Sequence, residues 1–297
     1  MAVLGDMTRN EGSFTGHDRL PLFEQSWVPN GRPRATVVLL HGLIEHSGCH
    51  EGTALELVRH GFSVHAMDLR GHGRSEGPRC DVRSFDQYLL DLDIFFERVS
   101  HQAGDRPLFL MGNSMGGLIV ALWAILRQPQ VRGLILSGPL LALANGLYPR
   151  LRHLTSFAAA LVPSLRVAKI PFALLARERH VVDHFRDDPL VFHGRFTLRA
   201  GAEILRAMEN VSRRAASLNV PLLILHGGAD RICSPAGSSA LFEKTGCIDK
   251  TFHLYEGFYH EVFDEPQRGR VLADLISWID QHVSAADLAA CRNSMEA

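Results

Sequence analysis

Leu108-Phe109-Leu110-Met111-Gly112-Asn113-Ser114-Met115-Gly116-Gly117-Leu118-Ile119-Val120-Ala121 is the stretch on which the fold turns. Its four leading apolar residues have the length of a buried strand, and the apolar run 118–126 has the length of a helix. Between them stands a glycine-flanked corner with Ser114 at its apex. A strand that passes directly into a helix is half of a strand-helix-strand unit, whose strands are covered on both faces and pair in parallel. Small residues at Gly112 and Gly116 relieve the crowding of so sharp a turn, which lifts the serine hydroxyl clear of the sheet.

The same alternation continues outward. Apolar or β-branched runs at 36–40, 62–67, 134–136, 222–225 and 251–255 read as further buried strands. Helical patterns at 51–60, 84–100, 197–218 and 238–245 separate them, so the chain is predicted to be α/β, with a mostly parallel, doubly wound sheet. Residues 13–29 alternate about a Gly16-His17-Asp18 turn and predict a β-hairpin at the sheet's edge. The order breaks once, from Pro139 to about Arg195, in an apolar stretch with Leu140, Leu147, Phe157, Leu161, Leu165 and Phe172. Prolines 149, 163, 171 and 189 divide it into short pieces. Residues 140–196 are therefore expected to form a helical cap inserted after the sixth strand, its inner face lining a pocket. One domain spans 1–297, and 284–297 is expected to fray.

Composition excludes several classes. Thirty-one Lys and Arg against thirty-two Asp and Glu give a net charge of −1, so there is no basic field to hold nucleic acid. The five cysteines are odd in number and lack CxxC spacing, which suits a reducing, cytoplasmic setting better than a disulfide framework. Sixteen histidines show no HExxH or clustered spacing, so no metal is expected. Residues 1–30 contain Asp6, Glu11 and Asp18 without an apolar core, unlike a signal peptide, and no run is long enough to span a membrane.

A serine hydroxyl is a weak nucleophile until a base takes its proton and a carboxylate orients that base. Asp230 follows the strand 222–225 on the glycine-rich turn His226-Gly227-Gly228-Ala229, and His260 follows the strand 251–255. Both thus fall at the carboxyl edge of a parallel sheet, in the order Ser, acid, His. A turn-capping Asp or a backbone-bonded His is the competing use of each. Backbone N–H groups at Met115 and Leu43 are the expected oxyanion donors, with His41 beside Gly42 either facing substrate or bracing that loop.

Five ordered motifs carry a family resemblance: His41-Gly42-Leu43-Ile44-Glu45-His46-Ser47-Gly48, Asp68 through Gly77, Gly112 through Gly117, Gly227 through Cys233, and Tyr255 through His260. Together they resemble the monoacylglycerol lipase and lysophospholipase-like group of α/β-hydrolases over most of the chain. The resemblance implies Ser114, Asp230 and His260 as the catalytic triad, Leu43 and Met115 as oxyanion donors, and Glu45 as a polar support near the substrate's alcohol end. It also implies an apolar cap that touches membranes to collect lipid. Cys233 matches a cysteine near the site in some relatives. Two positions depart from the pattern. Cys49-His50 stands where an Arg-Tyr pair is common, and Phe185 stands where animal relatives bind glycerol through a tyrosine, a hydrogen bond that phenylalanine cannot make.

The expected activity is hydrolysis of carboxylic esters with an apolar acyl chain, through an acyl-serine intermediate and without a cofactor. An aminopeptidase or thioesterase would use the same triad, and Asp183, Asp187 and Asp188 are the acids available to hold a substrate ammonium. A non-catalytic ligand receptor that kept the pocket is the alternative from another class.

Overall fold

The computed structural model describes residues 2–4, 7–144 and 158–283. In chain order the elements are β1 (Ala2–Leu4), β2 (Met7–Thr15), β3 (Pro21–Pro29), β4 (Ala35–Leu40), α1 (Glu51–Arg59), β5 (Phe62–Met67), α2 (Asp86–Ala103) and β6 (Leu108–Asn113). Then come α3 (Met115–Arg127), β7 (Gly133–Ser137), β8 (Arg166–Ala168), α4 (Arg179–Asp187), β9 (Phe196–Thr197) and α5 (Leu198–Arg214). The last four are β10 (Leu222–Gly227), α6 (Pro235–Lys244), β11 (Lys250–Tyr255) and α7 (Arg268–His282).

Nine strands form one sheet in the order β1-β2-β3-β5-β4-β6-β7-β10-β11. From β5 to β11 neighbouring strands are parallel, and the β2–β3 hairpin joins β5 antiparallel. This is the α/β-hydrolase architecture. Alternate side chains of each central strand enter opposite cores. Val38 and Leu40 of β4 pack with Phe95 of α2 and Leu118 of α3, whereas Val37 and Leu39 pack with Leu57 of α1 and Trp278 of α7. All four β4 side chains are buried, each contributing roughly 1.5–3 kcal/mol of hydrophobic stabilisation.

Two expectations need correction. The hairpin is not the sheet's edge, because β1 pairs with β2 outside it. That added strand makes β7, from which the excursion departs, the seventh strand in chain order rather than the sixth. Nor is the excursion purely helical: β8 and β9 pair antiparallel in a second, two-stranded sheet, beside a short helix at 158–161, a 3₁₀ turn at Phe172–Leu174 and α4. Pro163 and Pro189 follow the helices 158–161 and α4, where a missing N–H keeps a helix from continuing, and Pro171 precedes the 3₁₀ turn. Leu147, Pro149, Phe157 and the tail 284–297 lie outside the described residues.

The excursion has two limbs. The limb 172–192 is bonded to loops of the main sheet: Phe192 N–H donates to the Ile44 carbonyl at 2.9 Å, Glu261 N–H to the Leu175 carbonyl at 2.8 Å, and Arg177 Nε to Glu265 at 2.5 Å. The limb 158–170 bonds instead to the excursion's own return: Leu198 N–H to Leu165 O at 2.7 Å and Arg199 N–H to Pro163 O at 3.1 Å. Thr197 caps α5 by accepting the Ala200 N–H at 3.1 Å.

Candidate active site

Ser114 occupies the corner between β6 and α3 at φ 51°, ψ −115°, a left-handed region costing a non-glycine residue about 1–3 kcal/mol. The surroundings hold it there. Its N–H donates to Ser137 O at 2.9 Å, and its carbonyl accepts from Leu140 N–H at 2.9 Å and Leu118 N–H at 3.2 Å. The two flanking glycines are required sterically. A Cβ at Gly112 would stand 2.4 Å from Gly116 O, and one at Gly116 would stand 2.3 Å from Leu40 O.

Asp230 and His260 come from the turns after β10 and β11, and His260 Nδ1 donates to Asp230 Oδ2 at 2.7 Å. The other Asp230 oxygen accepts the Ile232 and Cys233 N–H groups at 2.8 and 3.0 Å, which fixes the carboxylate's orientation. Burial alone would push the Asp230 carboxyl up, but His260 and His226 hold it below the usual carboxylate range. Burial likewise disfavours charge on His260, yet Asp230 and then Cys233 keep its imidazole well above the ordinary value. The Cys233 thiol lies within 4.8 Å of the Asp230 carboxylate and the His260 imidazole, and His260 and Ser114 both bear on its ionisation, so the three expected residues meet around it. His226 lies 3.2 Å from Asp230, with its Nε2 donating to Cys233 O at 3.1 Å and its Nδ1 accepting from Ser238 at 2.7 Å. It braces the turn.

The expected oxyanion donors flank the serine from two sides. Met115 opens α3, where the first N–H groups have no partner within the helix. Leu43 lies in the loop after β4, its carbonyl held from behind by His72 and by the Cys80 thiol. His41 braces this loop rather than facing substrate: Nδ1 donates to Gly42 O at 2.8 Å, and Nε2 accepts the Leu69 N–H at 2.9 Å. Burial, with His72 nearby, pushes its pKa down to about 3 and keeps it neutral.

Leu43 and Ser114 open onto a cavity of about 360 Å³. Leu140, Ile170, Phe196 and Ile204 supply part of its apolar wall, so β7's exit, the excursion and α5 all contribute. Two residues expected to contact substrate are elsewhere. Phe185 is buried in the core on α4, and the Glu45 carboxylate is bonded inside the protein, accepting from Gly42 N–H at 2.8 Å and His50 Nε2 at 2.9 Å. Asn113 and Glu261 complete its surroundings. Sequence reasoning missed these partners, although each adjoins a residue expected in the triad: Asn113 precedes Ser114 and Glu261 follows His260.

A family model described as Serine aminopeptidase, S33 matches residues 31–267. Monoacylglycerol lipase of Mycolicibacterium smegmatis is 33% identical over 276 residues, covering 93% of this chain and 99% of that protein. Monoglyceride lipase of Homo sapiens is 34% identical over 271 residues, covering 90% and 89%. The crystal structure of Paleococcus ferrophilus monoacylglycerol lipase matches with a TM-score of 0.76 at 30% identity, covering 94% of this chain and 100% of that one. A soluble variant of monoglyceride lipase from Saccharomyces cerevisiae, in complex with a substrate analogue, matches at 0.83 and 23% identity over 95% and 97%, a likeness of fold.

Proposed function

The chain belongs to the serine aminopeptidase S33 family of α/β hydrolases, and from that premise we propose that it hydrolyses carboxylic esters with an apolar acyl chain, monoacylglycerols among them. The observation that carries this reading is a strained serine, at φ 51°, opening onto an apolar cavity of about 360 Å³. In this mechanism Ser114 attacks the ester carbonyl while His260 takes its proton, and Asp230 holds the imidazole and stabilises its cation. The Leu43 and Met115 N–H groups receive the developing oxyanion. Alcohol leaves with the proton from His260, and water then releases the acid from the acyl-serine. Turnover of p-nitrophenyl esters of graded chain length and of 1- and 2-monoacylglycerols tests the reading. Preference for long chains supports it, and reaction of short esters alone would replace it with a general esterase.

Peptide-bond cleavage after a free amine draws less support from the acids near the excursion, two of which are already paired. Asp183 is paired with Arg186 and Arg179, and Asp188 receives His46 Nε2 at 3.0 Å. Of the three acids expected for a substrate ammonium, that leaves the exposed Asp187 at the end of α4.

The cavity wall gives a direct check on chain length. Gly201 lines it, and a Cβ there meets nothing nearer than Phe196 at 3.6 Å, so a side chain would grow into the acyl site. Gly201→Leu is expected to cut kcat/KM for long-chain esters by about 10–100-fold while sparing short ones, one or two lost methylene contacts being worth 1–3 kcal/mol. Equal losses at every chain length would dissociate this cavity from the acyl chain.

The pH profile follows from His260. A general base must be neutral, and Asp230 raises the imidazole above its ordinary 6.5, so activity appears only as pH climbs through that raised value. The acid limb of kcat/KM should therefore lie above 6.5. Asp230→Asn should move it down and lower kcat by ~10⁴-fold. An acid limb unmoved by that change would mean His260 does not titrate against Asp230.

We further propose that the excursion serves as a lid that rests on lipid. Leu161, Val162 and Leu165 are 67%, 49% and 54% exposed on the limb that is bonded to the excursion's return. No helix among the described residues is long and apolar enough to cross a membrane, so any contact of this kind would be peripheral. Leu161→Ser with Leu165→Ser should reduce cosedimentation with phosphatidylcholine vesicles about tenfold, and equal partitioning of the two proteins would refute it.

A further inference from the structure

A second set of ionisable groups lies buried directly beneath the elbow, with no part in the mechanism above. Glu45 and His50 come from the β4–α1 connection, Asn113 from the end of β6 and Glu261 from the turn after β11, and all are buried. The Asn113 amide Nδ2 reaches both carboxyl groups, at 3.4 and 3.5 Å to the Glu45 oxygens and 3.3 and 3.1 Å to those of Glu261. The Asn113 amide thus bridges the two carboxyl groups and holds them close enough for each to bear on the other's ionisation. Two buried carboxylates bridged by one amide cannot both be ionised at tolerable cost, so one of them holds a proton.

The donors decide which one. Glu45 Oε2 accepts from the Gly42 N–H at 2.8 Å and from His50 at 2.9 Å, two bonds that favour the ionised form. Glu261 has the Asn113 amide and faces Glu45. Burial and the Glu45 charge push the Glu261 carboxyl well above its ordinary range; burial opposes ionisation of Glu45, but His50 holds it below that range. A neutral Glu261 also suits its position. Its Oε1 lies 3.8 Å from His260 Nε2, the nitrogen that must receive the serine proton, and a negative charge there would hold the imidazole in its cationic form.

The consequence falls on the oxyanion loop. Gly42 is pressed between the two groups: a Cβ there would stand 3.1 Å from Ser114 Cβ and 3.2 Å from Glu45 Oε2. The Gly42 N–H is tied to Glu45, and the next N–H along the chain is that of Leu43. We propose that Glu45 and Glu261 share one proton and act together as positioning residues, clamping the Gly42-Leu43 turn against Ser114 so that the Leu43 N–H meets the oxyanion. This deepens the ester-hydrolase reading and rests on it.

The test combines kinetics with a readout that needs no turnover. Glu45→Gln should lower kcat by ~10²-fold with KM nearly unchanged, because an oxyanion donor acts in the transition state. Affinity for an alkyl boronic acid, which forms a tetrahedral adduct with the serine, should fall in parallel. Glu261→Ala should lose rate similarly, and Glu261→Gln, whose amide can donate to Glu45 as the acid does, should recover most of it. Infrared spectra at neutral pH should show a protonated carboxyl band in the wild-type protein that Glu261→Gln removes. Full kcat in Glu45→Gln, no recovery in Glu261→Gln, or no such band would each overturn the proposal. Should the wild type hydrolyse no ester, the functional reading falls, and the infrared band still decides whether the pair shares a proton. If Glu45→Gln does not fold, the Glu261 pair of variants and the band decide it.

Discussion

Ser114→Ala is expected to lose at least about 10⁵-fold in kcat/KM on a long-chain ester while melting within a few degrees of the wild type. The two halves of this outcome have separate causes. In the proposed mechanism the hydroxyl is the atom that bonds to the acyl group, so without it only binding and oxyanion stabilisation remain. The fold is spared because alanine keeps the Cβ and the backbone bonds of Ser114 to Ser137, Leu140 and Leu118. A lost side-chain hydrogen bond is worth about 1 kcal/mol. Steady-state kinetics, circular dichroism melts and labelling by a fluorophosphonate probe check it. A variant within tenfold of the wild-type rate would place the nucleophile elsewhere.

Gly116→Ala should damage the fold itself, with at least about 3 kcal/mol of stability lost and kcat down ~10²-fold in whatever remains folded. The added Cβ would stand 2.3 Å from Leu40 O and 2.6 Å from His41 O. Both obstacles are backbone, at the end of β4, and cannot swing aside as a side chain would. Their displacement would carry the following loop, with Leu43, away from the serine. Gly269→Ala in α7 is the contrasting change: nothing lies within 4 Å of its Cβ, so alanine should be neutral or slightly stabilising. Urea melts of both variants test the comparison, and equal stabilities would mean that the elbow tolerates movement of β4.

What could be read in advance followed the sheet. Ser114, Asp230 and His260 each stand just beyond a parallel strand, at β6, β10 and β11, where side chains leave the sheet on one edge. Hydrophobic runs reveal such strands, and the turn residues then fall into place. The three-residue β1 and the β8–β9 pair were too short for periodicity to reveal. The partners of Glu45 were hidden for another reason. Gly42 and His50 share the connection that carries Glu45, but Asn113 and Glu261 reach it from the ends of distant strands, and no spacing rule joins those. Resemblance carried Glu45 and Phe185 as positions without their contacts. The carboxylate is bonded within the protein, and the phenyl ring is buried in the core.

The unequal stitching of the excursion sets which residues are free to diverge. The limb 172–192 shares hydrogen bonds with Ile44 and Glu261, neighbours of the proposed oxyanion donor Leu43 and the proposed base His260, so a change there should be felt by the chemistry. Residues 158–170 answer mainly to β9 and α5. That limb is the natural site for exchange between homologues: grafting it should transfer preference for lipid shape as a module, whereas the other half must be inherited together with the catalytic frame.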